Sequence, residues 1–470
     1  MSKTVAKRSP ASEAMIEATA GPRALMGGTR AMRQAGKRFL PKFEAEGQEA
    51  YEARKDSSWL FNGFRKTVRD MTGRVFDKPV EIAEGAPAQV MEWSENIDLA
   101  GNDLSTFARQ VFEDGMSGPG ISYIMVDAPA RPETVTRAQA QAMNLRPYLV
   151  HLRAEDVLGW QTRVINNVTT LTQLRILETV KKSDPKDEFT EIEVDQVRVL
   201  DRLDNGVQVR VYRKDKADQW KLTEEPTTTG LTEITVAPFY ANRAGFFSGE
   251  PMLDDLADIN IAHWQSQSDQ RNILHFARVP ILHASGRNED EPKLAISAGT
   301  AVTSSDPQAK LQWVEHSGAA IGAGRQDLKD LEFQMETFGL QLLVAREGAQ
   351  SATGEALDAK KETSTLAMTA DQLQDALEMA LMWMAEYGGL GEPSISVTVN
   401  KDFGVSMMTA QELGVMLQAV NSGNLSRETF LGEMARRGMV RADLDIDAER
   451  DRLSDAPPSL TGEGLTLGGE

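Results

Sequence analysis

The 470 residues are 41% apolar and 26% charged, a balance that allows a large core, and no window approaches the roughly 18 to 20 uninterrupted apolar residues of a membrane-spanning helix. The chain has no cysteine, which excludes disulfides and thiolate metal sites, and its first thirty residues lack the apolar run of a secretory signal, so an intracellular assembly site is expected. A net charge of −19 argues against a general nucleic-acid binder, although residues 1–80 hold 16 Lys and Arg against 9 Asp and Glu, and removing that +7 leaves −26 on the remainder.

Residues 1–45 are rich in Ala, Gly, Arg and Lys with weak periodicity, and read as a mobile or partner-ordered arm. Over 57–72 the spacing of Leu60, Phe64, Val68 and Met71 predicts a helix, with Ser57 or Ser58 as its cap and Gly73 as its stop. A second helix is expected over 103–114, before Gly118, Pro119 and Gly120 turn the chain into a strand. Strand-like runs follow at 121–127, 148–152, 168–177, 191–200 and 207–212, and Asn205-Gly206 between the last two signals a hairpin. These imply a mixed α+β domain with an antiparallel sheet, ending near Gly249.

Residues 251–277 carry the most informative pattern. Leu253, Leu256, Ile259 and Trp264 crowd one end and Ile273, Leu274 and Phe276 the other, while 265–272 is polar on every side. Such a helix would be roughly 40 Å long, and its polar middle is not expected to sit in a private apolar core. A second helix over 325–345 places Leu328, Leu331, Met335, Phe338 and Leu342 on one narrow seam. Between the two lies a short β-like insert, too small to stand alone. Beyond a small-residue link at 346–353, a helix capped by Thr353 is expected to run to Tyr387 on a seam of Leu366, Ala370, Leu373, Leu377, Ala380 and Met384. A strand at 394–400 then returns toward the earlier sheet. Thr409 with Glu412 forms a capping box, Ser426 starts another helix, and from Asp443 onward eight acidic residues face two basic ones in a tail expected to be disordered.

Enzymatic signatures are sparse. Gly322-Ala323-Gly324 lacks the third glycine and preceding strand of a dinucleotide site. Asp254 and Asp258 share a helix face near His263, which would suit a divalent ion, but acidic residues in the first turn of a helix are also favoured by its dipole, and that account is the stronger. His151, His275, His283 and His316 show no ligand spacing. No catalytic residue, metal site or cofactor is expected.

Three stretches carry a family resemblance: PFYANRAGFFSGEPMLDDLADINIAHWQSQSDQRNILHFARVPILHASG (238–286), SATGEALDAKKETSTLAMTADQL (351–373) and NSGNLSRETFLGEM (421–434), with weaker echoes in WLFNGFRKTVRDMTGRVFDKPV (59–80) and ISYIMVD (121–127). Together they resemble the tailed-bacteriophage portal proteins, in a subgroup formerly catalogued as a domain of unknown function. The resemblance implies a flexible arm at 1–45, a wing at 46–250, a first stem helix at 251–278, a clip at 279–318 and a second stem helix at 319–345. It continues with a tunnel loop at 346–356, a long helix and wing-returning strand at 357–404, a helical crown at 405–454 and an acidic tail at 455–470.

Functionally it implies a ring of about twelve subunits at one capsid vertex, assembled in the host cytoplasm and retained in the virion. Such a ring conducts double-stranded DNA without sequence specificity. It would dock the terminase large subunit and head-completion or adaptor proteins, contact major capsid and scaffolding proteins, and touch no membrane. On this reading Arg346, Gln350, Ser351 and Thr353 would face DNA from the tunnel loop. Gln265, Gln267, Asp269, Arg271, Arg325 and Lys329 would line the stem, and Arg287, Asn288, Glu289 and Lys293 would meet terminase or adaptor from the clip. An acidic body suits a conduit, because affinity for DNA follows the phosphates neutralised and a sparsely cationic wall lets the duplex move. The alternatives are another capsid-vertex adaptor, or a metal-dependent nuclease or hydrolase using Asp254, Asp258 and His263.

Overall fold

Helices open the chain where composition suggested a mobile arm. In the computed structural model, which describes residues 4–129, 139, 143–184, 187–223, 225–278, 281–285, 308, 310–314, 319–340, 352–401, 403, 410–436 and 448, α1 (Pro10–Ala18), α2 (Ala20–Met26) and α3 (Gly28–Ala35) follow one another almost without a break. Ser9 caps α1 by accepting from the Ser12 N–H, and Pro10 stands at the first helical position, where its missing N–H costs nothing. Met15, Leu25 and Met32 are buried. Arg175 reaches back from the sheet to donate to the carbonyls of Thr4, Val5 and Lys7. The expectation of an arm over 1–45 is therefore corrected: one buried apolar residue per short helix suffices when tertiary packing supplies the stability, and so short a pattern shows little periodicity.

The helix expected over 57–72 divides differently. α4 (Gln48–Ser57) ends at Ser58, and α5 (Gly63–Val75) begins after Asn62, whose side chain accepts from the Arg65 N–H. The hydroxyls of Ser57 and Ser58 donate backward to the Arg54 carbonyl, so they finish one helix instead of starting the next. After β1 (Glu81–Ile82) and α6 (Ala88–Ser94), α7 (Leu104–Ser117) is capped by Asp103 and stops at the expected glycine break. Gly120 lies at φ +72, and a Cβ there would fall 2.0 Å from the Glu250 carbonyl oxygen, so only glycine fits.

Two antiparallel sheets form the middle of the chain. β2 (Ile121–Asp127) is central in a three-stranded sheet between β10 (Val236–Tyr240) and β3 (Tyr148–Leu152). A six-stranded sheet runs β4 (Val157–Ile165), β5 (Val168–Asp184), β6 (Asp187–Leu203), β7 (Gly206–Lys214), β8 (Trp220–Leu222), with β9 (Thr227–Thr229) on β7. Leu203 pairs with Gly206 across a two-residue loop, the hairpin signalled by Asn205-Gly206. One apolar core joins the sheets through Tyr123, Leu152, Leu174, Ile176 and Val236, with Met15 of α1 included. β5 and β6 overrun their neighbours: residues 179–183 pair only with 191–195 among the described strands, and Phe189 near the tip is 89% exposed. A small ribbon, β11 (Arg243–Gly245) with β12 (Ser248–Gly249), leads to the next helix.

α8 (Asp254–Ala277) and α9 (Ala319–Leu340) are the two expected long helices. Between them β13 (Ile281–Ser285) and β14 (Lys310–Val314) pair in antiparallel register. α10 (Ala352–Tyr387) spans 36 residues and packs across β2 and β10, burying all six residues of its expected seam. β15 (Val397–Thr398) pairs with β1, not with either larger sheet. These elements form a unit over Met1–Lys401, and a second compact unit covers Asp402–Glu470. In that second unit α11 (Ala410–Asn421) and α12 (Arg427–Arg436) are joined by a short turn, with Ser426 accepting from the Thr429 N–H as the cap of α12. The capping box at Thr409 and the tail at 455–470 lie outside the described residues.

Candidate functional site: the paired helices and their flanks

α8 and α9 lie antiparallel, as their cross-contacts require. Going up α8, His263 Nε2 meets Glu332 Oε1 at 3.3 Å, Ser266 Oγ donates to Asp327, and Gln270 Nε2 donates to the Ile321 carbonyl at 3.0 Å. Positions 263, 266 and 270 share one face of a helix. The opposite face, carrying Ile261, Gln265 and Ser268, packs on the N-terminal helices: Ile261 against Gly21, Gln265 Nε2 donating to the Phe39 carbonyl at 3.0 Å, and Arg54 Nη1 reaching Ser268 Oγ and Asp269 Oδ1 at 3.4 Å each. α8 is thus the middle layer of a helical sandwich.

This corrects the reading of 265–272 as polar and wet on every side. Gln267, Ser268 and Gln270 are buried, and Ser268 and Gln270 have polar partners there in Arg54 and the Ile321 carbonyl. A polar stretch of helix can be interior when its donors and acceptors find partners, and here α4, α9 and the turn after α3 supply them. Arg54 anchors the arrangement. Its side chain, 2% exposed, makes two 2.8 Å bonds to Glu46, donates to the Pro41 carbonyl at 2.8 Å and lies over the Phe43 ring. The hydrogen bond from Arg54 holds the Glu46 carboxyl below its ordinary range, whereas burial raises that of Asp269 despite the nearby guanidinium.

Of the residues expected along the stem, Gln267 is buried, and Gln265 and Asp269 are bonded to the N-terminal helices and the turn after α3. Arg271, Arg325 and Lys329 are exposed. The expected seam of α9 is inward at Met335, half-buried at Leu328 and Leu331, and open at Phe338. On the far side of α9, Phe333 is 69% exposed between the exposed Asp330 and Glu336. Arg346, Gln350 and Ser351, and Arg287, Asn288, Glu289 and Lys293, lie outside the described residues; Thr353 falls in the first turn of α10.

The Asp254, Asp258 and His263 trio is not brought together. His263 is buried toward Glu332 with its ring against Phe61, while Asp254 and Asp258 are exposed. Burial lowers the His263 pKa against the pull of Glu332 and Asp327, favouring the neutral ring. Burial, then repulsion from Asp258 and Asp255, raises that of Asp254. Among the described residues no three His, Asp or Glu side chains are grouped to hold a metal ion.

Two further sites escaped the sequence. Asp114 is buried among Arg23 at 2.8 Å, Arg153 at 3.2 Å and His151 at 3.5 Å, and Ser122 Oγ meets His151 at 2.7 Å. Burial alone would raise Asp114, but the bond from His151 and the charges of Arg23 and Arg153 outweigh it and hold the carboxyl well below its usual range. Although serine, histidine and aspartate adjoin, both contacts use the same nitrogen, Nε2, and Ser122 is fully buried, so the group is not arranged as a proton relay to a nucleophile. The other site is a groove of about 520 Å³ lined by Thr29, Arg30, Arg33, Gln34, Lys55 and Asp56, on the outer side of α3 and α4. Its signal in the sequence was the +7 excess of residues 1–80, but which cations would converge depends on how α3 meets α4.

A family model described as a domain of unknown function (DUF4055) matches residues 251–388, the span from α8 through α10. No curated protein matches the chain. Among solved structures, a chain from the neck of an empty GTA particle computed with C6 symmetry is similar at 9% identity and TM-score 0.40, covering 80% of this chain and 89% of that one. A chain from the neck of a native GTA particle computed with C12 symmetry gives 10% identity and TM-score 0.38, with 80% and 89% covered. One from the virion of a native gene transfer agent particle gives 11% identity and TM-score 0.38, with 84% and 90% covered.

Proposed function

We propose that this chain is the subunit of a portal-type ring at a capsid vertex, a conduit for double-stranded DNA with no catalysis of its own. The observation that carries the reading is the antiparallel pair α8 and α9, joined through the β13–β14 module and closed on one side by the N-terminal helices while the outer face of α9 stays open with Phe333 exposed. A long helix that exposes an aromatic on its outer face is expected where other copies complete the packing. Exposed carboxylates on the pair, Asp255, Asp258, Asp327 and Asp330, with Arg271, Arg325 and Lys329 interspersed, suit a wall that meets phosphates briefly and does not retain them. The family resemblance of residues 238–286 and 351–373 agrees with it, and extends it to terminase and head-completion proteins as partners and the virion as location.

Purified protein viewed end-on by negative-stain electron microscopy tests the reading. A closed ring with a central hole is expected. A stable monomer at all concentrations, or turnover of nucleic acid abolished by changing Asp254 and Asp258 to alanine, would overturn it.

A further inference from the structure

We infer that the joint between α8 and α9 is an acid-operated release, in which a proton taken up by His263 detaches α9 from α8. The movement lies within one subunit, so it goes beyond the ring reading and stands whether or not copies close into a ring.

The unsatisfied polar atoms of the core point to this layer. Among the described residues five buried side-chain atoms have no hydrogen-bond partner: Tyr51 Oη, Asp114 Oδ2, Arg198 Nε, His263 Nδ1 and Trp264 Nε1. Those of Asp114 and Arg198 still face an ionic partner, His151 Nε2 at 3.5 Å and Glu178 Oε1 at 2.8 Å. The other three belong to α4 and α8. A buried group without a partner marks an element that gains by moving, and of these three only the histidine changes charge near neutral pH.

His263 is 1% exposed and walled on both sides. Its ring centre lies 5.3 Å from that of Phe61, and Asn260 of α8 pins that wall by donating to the Phe61 carbonyl at 2.7 Å and accepting from the Phe64 N–H at 3.0 Å. On the other side Nε2 meets Glu332 Oε1 at 3.3 Å. Because a carboxylate only accepts, that contact assigns the proton of the neutral ring to Nε2 and leaves Nδ1 as a bare acceptor. Glu332 and Asp327, both on α9, are the charged groups that act on the ring, while the α4–α5 link meets it with the uncharged Phe61.

A second proton has only Nδ1 to go to. There it makes an N–H without an acceptor and a cation in a site closed to water, and the two carboxylates offset that burial only in part. Phe61 is the fixed wall, since α8 itself holds it. α9 is the wall that yields: Ser266 on Asp327, Gln270 on the Ile321 carbonyl and Met335 over Gly63 are its other ties here. Swinging α9 outward lets water reach both ring nitrogens.

The chain has no cysteine, so nitroxide labels can be attached at Ala262→Cys and Gln334→Cys, both exposed positions. Their separation is read by double electron–electron resonance on the full chain, mixed with excess unlabelled chain so that only distances within a copy count. One narrow distance is expected at about pH 8, and a longer one should replace it reversibly as pH falls through a midpoint below 6.5. His263→Gln keeps a donor for Glu332 but takes no proton, and should hold the short distance down to the carboxylate range, about pH 4. Glu332→Gln removes a charge that favours the proton and should lower the midpoint. A single unchanged distance down to about pH 4.5, or release in His263→Gln at the midpoint of the parent chain, overturns the inference. So does release of the parent chain only in the carboxylate range, which would assign the joint to Asp327 and Glu332.

Discussion

The clearest test of how the sandwich is held is Arg54→Met. Arg54 and Glu46 are 2% and 7% exposed, bonded twice at 2.8 Å, and the same guanidinium ties α4 to α8 through Ser268 and Asp269. Methionine keeps most of the side-chain volume, so the loss measured is mainly electrostatic. Breaking a buried pair by removing one partner costs about 3–5 kcal/mol, because the surviving charge is stranded. Glu46 lies near the surface and can rehydrate or take up a proton, so the low end, about 3 kcal/mol, is expected. Guanidinium unfolding gives the global value, and amide hydrogen exchange in α4 and α8 locates it. The companion Arg54→Met with Glu46→Leu removes both charges of the close pair and should cost clearly less than the single substitution, since no stranded Glu46 carboxylate remains and only the contacts to the Pro41 carbonyl, Ser268 and Asp269 are lost. If the single substitution costs under about 1 kcal/mol, or the double costs the sum of the two singles, the stranded-carboxylate argument is wrong.

Leu373→Ala, in the fully buried seam of α10, should cost about 2–5 kcal/mol in the same unfolding assay, and a loss below about 1 kcal/mol would mean that the helix does not pack as described. His263 supplies a pH test with a definite sign. Burial depresses its folded pKa below the ordinary 6.5, so its contribution is intact above 6.5 and is lost as pH falls from there through the folded value. Exchange protection in α8 and α9 should therefore drop on acidification, and His263→Gln should flatten that part of the profile. Glu46 acts in the same direction at lower pH, because its depressed pKa stabilises the fold above its unfolded value and that stabilisation fades on acidification; Glu46→Gln should remove the step. Gly120→Ala should destabilise strongly or prevent folding, since the added carbon meets backbone and not a movable side chain, and normal melting of that variant would refute the turn geometry.

What the sequence disclosed depended on how far each pattern extended. The seam of α10, from Leu366 to Met384, was legible because six residues keep one period over five turns, and all six are buried. β2 and β3 matched their expected ends, and the glycine break before β2 fell in place. β4 was missed because its outer half, from Gln161 to Ile165, is exposed on both faces and so shows no alternation. α1 to α3 were missed because each buries only one or two residues against partners distant in sequence. The polar middle of α8 was seen but misplaced: no local pattern shows that Arg54, more than 200 residues earlier, will satisfy Ser268 and Asp269. For the same reason the groove of Arg30, Arg33 and Lys55 appeared only as an excess of charge, without a position.

The overhanging end of the β5–β6 ribbon has a practical consequence for handling this protein. A two-stranded tip with both margins unpaired among the described strands and Phe189 in water is a ready template for strand addition. Lys181, Lys182, Glu191 and Glu193 along the tip oppose that stacking by their charge and hydration. Their protection weakens as ionic strength rises or as the glutamates are titrated in acid. Concentrated stocks should therefore cloud first in high salt or at low pH, and trimming the tip should keep them clear.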